Sequence, residues 1–182
     1  MKKIAISAAA IAVAALGFAS SAHAQIPSVV KPVRLGVSLG AAIPTGDFGS
    51  VVNTGYNATG SVALQPPALP IGFRIDAAFN QFGFKQGGGN ANVFGVTGNA
   101  LVNIIPGPAL GAYAIGGAGY YHESLSGTID NGTPQNHFGF NIGAGLNIPL
   151  TGFNAFIEAR YNRISENGGS TSFVPVTVGV LF

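Results

Sequence analysis

Two pairs of oppositely charged residues are the side chains of this sequence best placed for ionic chemistry. Arg74 precedes Asp76 by two positions, and Glu158 precedes Arg160 by the same spacing. Residues two apart in a β-strand point to the same face, so each pair would present a cation and an anion together. Such groups are scarce, because charged residues make up 8% of the chain, against about 25% in an average soluble domain.

A group at 122–124 raises the alternative of a lipid-modifying enzyme with a Ser/His pair. His122, Glu123 and Ser124 are consecutive, but neighbouring strand residues point to opposite sides, and the sequence places no third group to orient the histidine. The glycines at 117–119 have the spacing of a nucleotide-binding turn without a following helix. The sequence therefore predicts no catalytic residue, no cofactor and no metal site.

The chain begins with the layout of a secretory signal peptide. Lys2 and Lys3 precede an apolar run over 4–18, and Ala22-His23-Ala24 has the small residues of a cleavage site. A membrane-anchoring helix is the alternative, but a run of about 15 residues is shorter than the roughly 20 that a bilayer requires. We expect cleavage after Ala24, which leaves residues 25–182 as one domain.

Removal of that leader also removes the excess of positive charge. Of the eight Lys and Arg residues in the chain, two are Lys2 and Lys3, so the remaining six balance the six Asp and Glu residues. A nucleic-acid partner would require a clustered basic face, so none is expected. The chain has no cysteine and hence no disulfide framework.

Apolar residues recur at every second position over most of the mature chain. Within 71–80, for example, Ile71, Phe73 and Ile75 alternate with the face that carries Arg74 and Asp76. This period is typical of strands with one apolar face. It predicts eight of them, at 33–43, 56–65, 71–80, 92–104, 110–121, 137–148, 153–164 and 172–182. Glycine and alanine dominate 110–121, so the sequence does not predict which face of that strand points outward.

The connections alternate in length. Short turns at 66–70, 105–109 and 149–152 alternate with longer polar loops at 44–55, 82–91, 122–136 and 165–171, as in outer-membrane barrels. The predicted fold is therefore all-β: an eight-stranded antiparallel up-and-down transmembrane β-barrel. Aromatic residues near the strand ends predict interfacial belts: Tyr56, Tyr120, Tyr161, Phe82 and Phe84.

A soluble lipocalin-like carrier is the alternative with the faces reversed, apolar inside and polar outside. Alternation alone does not tell inside from outside. The ions share one face with the glycines, however, while the opposite face carries almost no charge. That distribution favours a barrel whose apolar face meets lipid.

Several segments together resemble a known family. They are the first-strand exit at 42–48, the glycine-rich strand at 113–120, the segment 156–161 and the ending at 174–182 that stops on Phe182. The chain resembles the small eight-stranded outer-membrane β-barrel family, which contains OmpX-like proteins and the transmembrane domain of OmpA. The resemblance implies a cell outer-membrane location in contact with outer-membrane lipid. It also implies transient partners, namely periplasmic chaperones and the barrel-assembly machinery, with Phe182 as the assembly signal.

The charged residues on the inward face then predict an ion network in the lumen. An eight-stranded barrel is only wide enough to be filled by side chains, so inward ions would have to pair with one another. The inward set is Arg34, Arg74, Asp76, Glu158 and Arg160, together with His137. We expect a polar plug in a non-catalytic barrel with a structural or surface-interaction role. A narrow passive channel, opened when these ions exchange partners, is the alternative.

Overall fold

The fold is a closed ring of antiparallel strands. The computed structural model describes residues 33–66, 71–107, 109–127, 134–166 and 168–182. Within them lie β1 (Val33–Thr45), α1 (Gly46–Val51), β2 (Gly55–Leu64), β3 (Ile71–Gly83), β4 (Asn90–Ile105), β5 (Gly111–Ser126), β6 (Gln135–Leu150), β7 (Phe153–Glu166) and β8 (Gly169–Leu181). Each strand pairs antiparallel with the next, and β8 pairs with β1. The predicted eight-stranded up-and-down barrel is confirmed. The predicted signal peptide, residues 1–24, lies outside the described residues.

The alternation of residue types decides which face of each strand points outward. On β1, Leu35 and Leu39 are 61% and 65% exposed on the outside, whereas Ser38 on the opposite face is 6% exposed. Large apolar side chains are exposed on the outside of all eight strands. Among the described residues, no helix has the length and hydropathy that a membrane span requires.

The sequence did not predict which face of β5 points into the barrel, and two tyrosines show which one does. Tyr113 and Tyr121 are both buried inside the barrel. Glycines on the neighbouring strands make room for their rings, because a Cβ on Gly95 would lie 2.7 Å from the Tyr121 ring, and one on Gly145 would overlap the Tyr113 ring. Small residues in this part of the wall thus admit large side chains from the next strand.

The strands are longer than predicted at the end of the barrel where α1 lies, which we call the loop end. β5 continues to Ser126, and β6 already begins at Gln135. The predicted long loop over 165–171 is wrong, because only residues 167–168 separate β7 from β8. At the loop end, backbone pairing continues past the last residues that alternate between apolar and polar. The predicted strand ends followed that alternation and therefore fell short.

Beneath the loop end, the interior is apolar. A cluster that we call the apolar cap is built from Ala42, Val52, Phe82, Ala91, Val93, Tyr121, Ile164 and Phe173. Phe48 and Phe84 pack against it. The predicted membrane belt is therefore wrong for Phe82 and Phe84. Phe82 has the same parity on β3 as Arg74 and Asp76, so it points inward and is fully buried.

Candidate functional site in the barrel lumen

The charged cluster is held by two strands on opposite sides of the ring. β3 carries Arg74 and Asp76, and β7, four strands away, carries Glu158 and Arg160. Each pair is spaced by two residues, so both of its side chains point into the lumen. The structure thus brings together four of the five residues predicted to form the ion network.

The four side chains form a closed ring of ion pairs. Across the lumen, Arg74 Nη2 lies 2.7 Å from Glu158 Oε1, and Arg160 Nη1 lies 2.8 Å from Asp76 Oδ2. Along the strands, Arg74 Nε lies 3.0 Å from Asp76 Oδ1, and Arg160 Nε lies 2.8 Å from Glu158 Oε1. The side chains are between 0% and 9% exposed. Because each cation contacts both anions, the two positive and two negative charges of the cluster balance one another.

Neutral donors complete the shells of the two carboxylates. Ser61 Oγ donates to Asp76 Oδ1 at 2.6 Å, and Asn99 Nδ2 donates to Asp76 Oδ2 at 3.0 Å. Tyr113 Oη donates to Glu158 Oε2 at 2.7 Å. A buried carboxylate is costly unless its lone pairs are satisfied, so these donors are part of the site.

Amides and tyrosine hydroxyl groups continue the polar network beyond the ions. Asn141 Nδ2 donates to Asn99 Oδ1 at 2.9 Å, and Asn57 Nδ2 donates to Asn80 Oδ1 at 2.7 Å. Tyr121 Oη, which belongs to the apolar cap, donates to Asn162 Oδ1 at 3.1 Å. The described lumen therefore passes from ions to amides to apolar side chains towards the loop end.

Arg34 and His137 lie outside this cluster. Arg34 is half-buried near the opposite end of the barrel, the terminal end, where β1 begins and β8 finishes. It lines a cavity there and makes no ion pair within the described residues. His137 is paired in register with Tyr121, closer to the loop end.

Sequence reasoning missed Tyr113 as a carboxylate partner and missed the apolar cap. A signal for Tyr113 was present, since Tyr113 and Tyr121 have the same parity on one strand. The apolar cap could have been predicted in part, because Phe82 lies an even number of residues after Arg74 on the same strand and so faces inward too.

The group considered for catalysis does not form a triad. His122 Nδ1 lies 2.9 Å from Asn136 Oδ1 at an exposed site on the barrel exterior, whereas Glu123 is on the opposite face of β5. Within the described residues, no cluster of three or more His, Cys, Asp or Glu side chains could hold a metal ion.

Glu123 is nevertheless an unusual carboxyl group. It lies beyond Tyr120, an exposed tyrosine at the loop end of the apolar band. Burial raises the pKa of Glu123 to about 7, and the nearby Glu166 carboxylate contributes to this rise. Glu123 therefore titrates near neutral pH, outside the apolar band.

The polarity of the two faces settles the orientation of the barrel wall. Ions and amides fill the inside, while residues such as Ile75 and Ile142, 60% and 63% exposed, form an apolar exterior. This is the reverse of a lipocalin-like carrier.

A model of the outer membrane protein beta-barrel domain matches residues 10–182. The chain belongs to this outer-membrane β-barrel family. The resemblance inferred from the sequence is thereby confirmed.

Solved outer-membrane barrels share the fold at low sequence identity. Neisserial surface protein A superposes with a TM-score of 0.67 at 13% identity, over 83% of this chain and 96% of that one. The N-terminal barrel domain of Pseudomonas aeruginosa OprF (0.51, 16%) and the Yersinia pestis attachment invasion locus protein Ail (0.51, 17%) each cover 82% of this chain and 97% of their own. At these identities the similarity establishes the fold alone. A search of curated protein sequences gave no match.

Proposed function

We propose that this outer-membrane β-barrel is non-catalytic and non-conducting, and that it serves the cell envelope as a structural or surface-interaction protein. The observation that carries the proposal is the bridging of the lumen by paired side chains. Arg74–Glu158 and Arg160–Asp76 join opposite walls at 2.7 and 2.8 Å. An ion crossing here would have to separate buried charges from their partners, which is strongly unfavourable.

The apolar cap supports the same conclusion independently. The ring centroids of Phe82 and Phe173 lie 5.4 Å apart, and those of Phe48 and Phe82 lie 5.0 Å apart. Apolar constrictions block ions because water does not fill them. A passive channel would need both the ion ring and the cap to open.

A surface role is supported by the polar rim at the loop end. β5 extends to Ser126, beyond the exposed Tyr120, and α1 lies at the same end. In the proposed orientation both termini are periplasmic, so this rim faces the cell exterior.

The chemistry of the rim argues against one ligand class. Ail has been crystallised with the heparin analogue sucrose octasulfate. Among the described residues at the loop end, two are basic, Lys85 and Arg163, and three are acidic: Asp47, Glu123 and Glu166. A polyanion would meet net negative charge, so we do not extend that ligand to this protein.

Export and assembly complete the proposal. Residues 1–24 would be removed on export, and the last strand would be read by the barrel-assembly machinery after delivery by periplasmic chaperones. Phe182 is 58% exposed on the outer wall, where its backbone N–H donates to Leu35 O at 2.8 Å. An exposed terminal aromatic side chain is available to a transient partner.

Planar-bilayer recording tests the closed lumen. We expect the reconstituted wild-type barrel to give no conductance steps. Replacement of Phe82 and Phe173 together by alanine should also leave it closed, because the ion ring remains. The matched control is Tyr56→Ala on the outer wall. Reproducible wild-type steps that disappear in Arg74 or Glu158 variants would support the channel and refute the proposal.

A further inference from the structure

We propose that the outer wall of β6, β7 and β8 binds a membrane lipid at the loop end, through an anionic headgroup that carries a phosphate. Arg163 would pair with the phosphate, and the acyl chains would lie along the apolar wall next to it. Arg163 is exposed on the outward face of β7, two residues after Tyr161, which is the last apolar residue of the outward alternation on that strand. The site is on the outside of the barrel, so it does not depend on the proposed surface role of the rim.

The outward face of these three strands carries one charged side chain, that of Arg163. β6 and β8 contain no Asp, Glu, Lys or Arg. The other charged residues of β7 have the opposite parity and point inward: Glu158, Arg160 and Glu166. Arg163 makes no ion pair within the described residues. This part of the wall therefore presents one unbalanced positive charge, which matches an anionic partner.

Hydroxyl groups surround Arg163 on the same face. In the antiparallel ladder, Arg163 is paired with Ser172, and Ser165 is paired with Ser170. Side chains that are directly opposite in such a ladder are close enough to contact the same group. Tyr161 Oη donates to Ser172 Oγ at 3.1 Å, so the phenol hydroxyl lies next to the residue opposite Arg163. A guanidinium group with neighbouring hydroxyl groups has the donors that a phosphate requires.

The apolar surroundings of this cation favour a lipid over a free anion. On the β6 side, Arg163 is paired with Phe140, which is 46% exposed. Away from the loop end, Ile142 and Ile157 continue the exposed apolar wall. An arginine at the edge of such a wall keeps its stem on the apolar surface and extends its charge to the headgroup layer. A lipid contacts both parts of the site, because its phosphate reaches the guanidinium group while its acyl chains cover the wall.

The acidic residues of the loop end do not face this site. Glu123 and Glu166 have inward parity on β5 and β7, and Asp47 is in α1. The net negative charge of the rim and the positive charge of the outer wall therefore belong to different surfaces. A soluble polyanion would approach the rim, whereas a lipid headgroup approaches from the side.

Three variants separate the contributions to binding. Arg163→Gln removes the charge from the outer wall and keeps a polar side chain there. Lys85→Gln is the matched control, because it removes an equal charge from an exposed residue at the same end, whose Nζ donates to Gly49 O. Ser165→Ala combined with Ser170→Ala removes two hydroxyl groups and leaves the net charge unchanged.

Native mass spectrometry of the mature barrel in detergent measures the binding, with phosphatidylglycerol as the anionic probe and phosphatidylcholine as the zwitterionic one. We expect saturable binding of phosphatidylglycerol and markedly weaker binding of phosphatidylcholine. Arg163→Gln should weaken phosphatidylglycerol binding about tenfold, equivalent to about 1.4 kcal/mol. The double serine variant should weaken it by a smaller factor, and Lys85→Gln should leave it unchanged.

Nitrogen-15 NMR in nanodiscs locates the contact. The Nε resonance of Arg163, assigned by its absence from the spectrum of Arg163→Gln, should shift when phosphatidylglycerol replaces part of the phosphatidylcholine. Inorganic phosphate added to the phosphatidylcholine nanodiscs should not shift it. A shift caused by inorganic phosphate alone would mean a site for a free anion and would contradict the proposal.

Other results would also overturn the proposal. Equal phosphatidylglycerol binding by wild type and Arg163→Gln would remove the site, and an equal loss in Lys85→Gln would mean that net charge alone attracts the lipid. Equal binding of the two lipids by wild type would contradict an anionic headgroup. Folding of each variant is checked by its heat-modifiable mobility. If Arg163→Gln does not fold, Arg163→Lys takes its place in assigning the resonance, and the comparison of the two lipids on wild type decides the question.

Discussion

At the scale of single residues, Glu158 contacts both guanidinium groups of the ion ring and the hydroxyl group of Tyr113. Its carboxylate accepts hydrogen bonds from Arg74 and Tyr113 at 2.7 Å, and Arg160 Nε lies 2.8 Å from Glu158 Oε1 as an ion pair. Glu158→Gln would leave two buried guanidinium groups with Asp76 as their one carboxylate. Breaking a buried ion pair costs about 3–5 kcal/mol, so we expect a loss of that size in the free energy of unfolding. Urea titration of the barrel in lipid vesicles measures it.

The control for Glu158→Gln is Asp47→Asn, which removes one negative charge from an exposed position in α1. We expect that variant to stay within about 0.5 kcal/mol of wild type, as exposed substitutions usually do. If the two variants had equal stability, the ion ring would not contribute to folding as described.

Glu123 predicts a pH dependence at the loop end. Its pKa in the folded barrel is about 7, raised from 4.5 by burial and then by Glu166. Because the folded-state pKa is the higher one, ionisation favours the unfolded state, so this contribution to stability is fully present below pH 4.5 and is lost as the pH rises through about 7. Glu123→Gln should therefore gain stability over wild type above pH 7 and lose that advantage at pH 4.5.

The midpoint of thermal unfolding, followed by heat-modifiable mobility, measures this difference at each pH. The contributions of the other carboxyl groups to stability cancel when the variant and the wild type are compared at the same pH. A difference that does not change across this range would contradict a raised pKa for Glu123.

At the scale of elements, the fit between β4 and β5 depends on a glycine facing a tyrosine. Gly95→Ala would place a Cβ 2.7 Å from the Tyr121 ring, whereas a Cβ added to Gly98, on the same strand, would have no neighbouring atom within 4 Å. Overpacking costs about 1–3 kcal/mol. We expect Gly95→Ala to lose that amount in vesicle-based urea unfolding, while Gly98→Ala is neutral.

Tyr121→Leu provides the complementary variant for this pair. If the ring is what Gly95→Ala meets, the double variant should be more stable than the sum of the single losses predicts. Strict additivity would mean that the alanine acts through the backbone instead.

The strands also show how far the sequence could predict this fold. Period-two alternation placed all eight strands and put Arg74 and Asp76 on the inner face, because lipid and lumen impose opposite polarities on neighbouring positions. The ends of β5 and β7 were not predicted. Beyond the apolar band both faces meet water, so residues such as Ser126 and Glu166 carry no signal of the continuing ladder.

At the scale of the whole molecule, closure of the ring determines which side chains meet. The spacing within each strand predicted the two pairs, but only the closed barrel brings Asp76 next to Arg160 across the lumen. The same closure separates Arg34, which lies near the terminal end. Its separation from the ion ring could not be predicted from its inward-facing position alone, because the depth of a side chain in the lumen depends on strand register.

The whole barrel has an apolar exterior that meets lipid, and we propose that its packed interior excludes water-soluble solutes. The natural chain has no cysteine, so single-cysteine variants can be placed at Ser126, Ile75 and Ser61. These positions lie on the loop-end rim, on the outer wall and beside Asp76 in the lumen, respectively.

The most direct test is the rate at which these variants react with a membrane-impermeant maleimide after reconstitution into vesicles. We expect fast reaction at Ser126→Cys and protection at both Ile75→Cys and Ser61→Cys, with a lipid-soluble maleimide reaching Ile75→Cys alone of these two. Fast aqueous labelling of Ile75→Cys would contradict the lipid-facing wall. Fast labelling of Ser61→Cys would contradict the closed lumen.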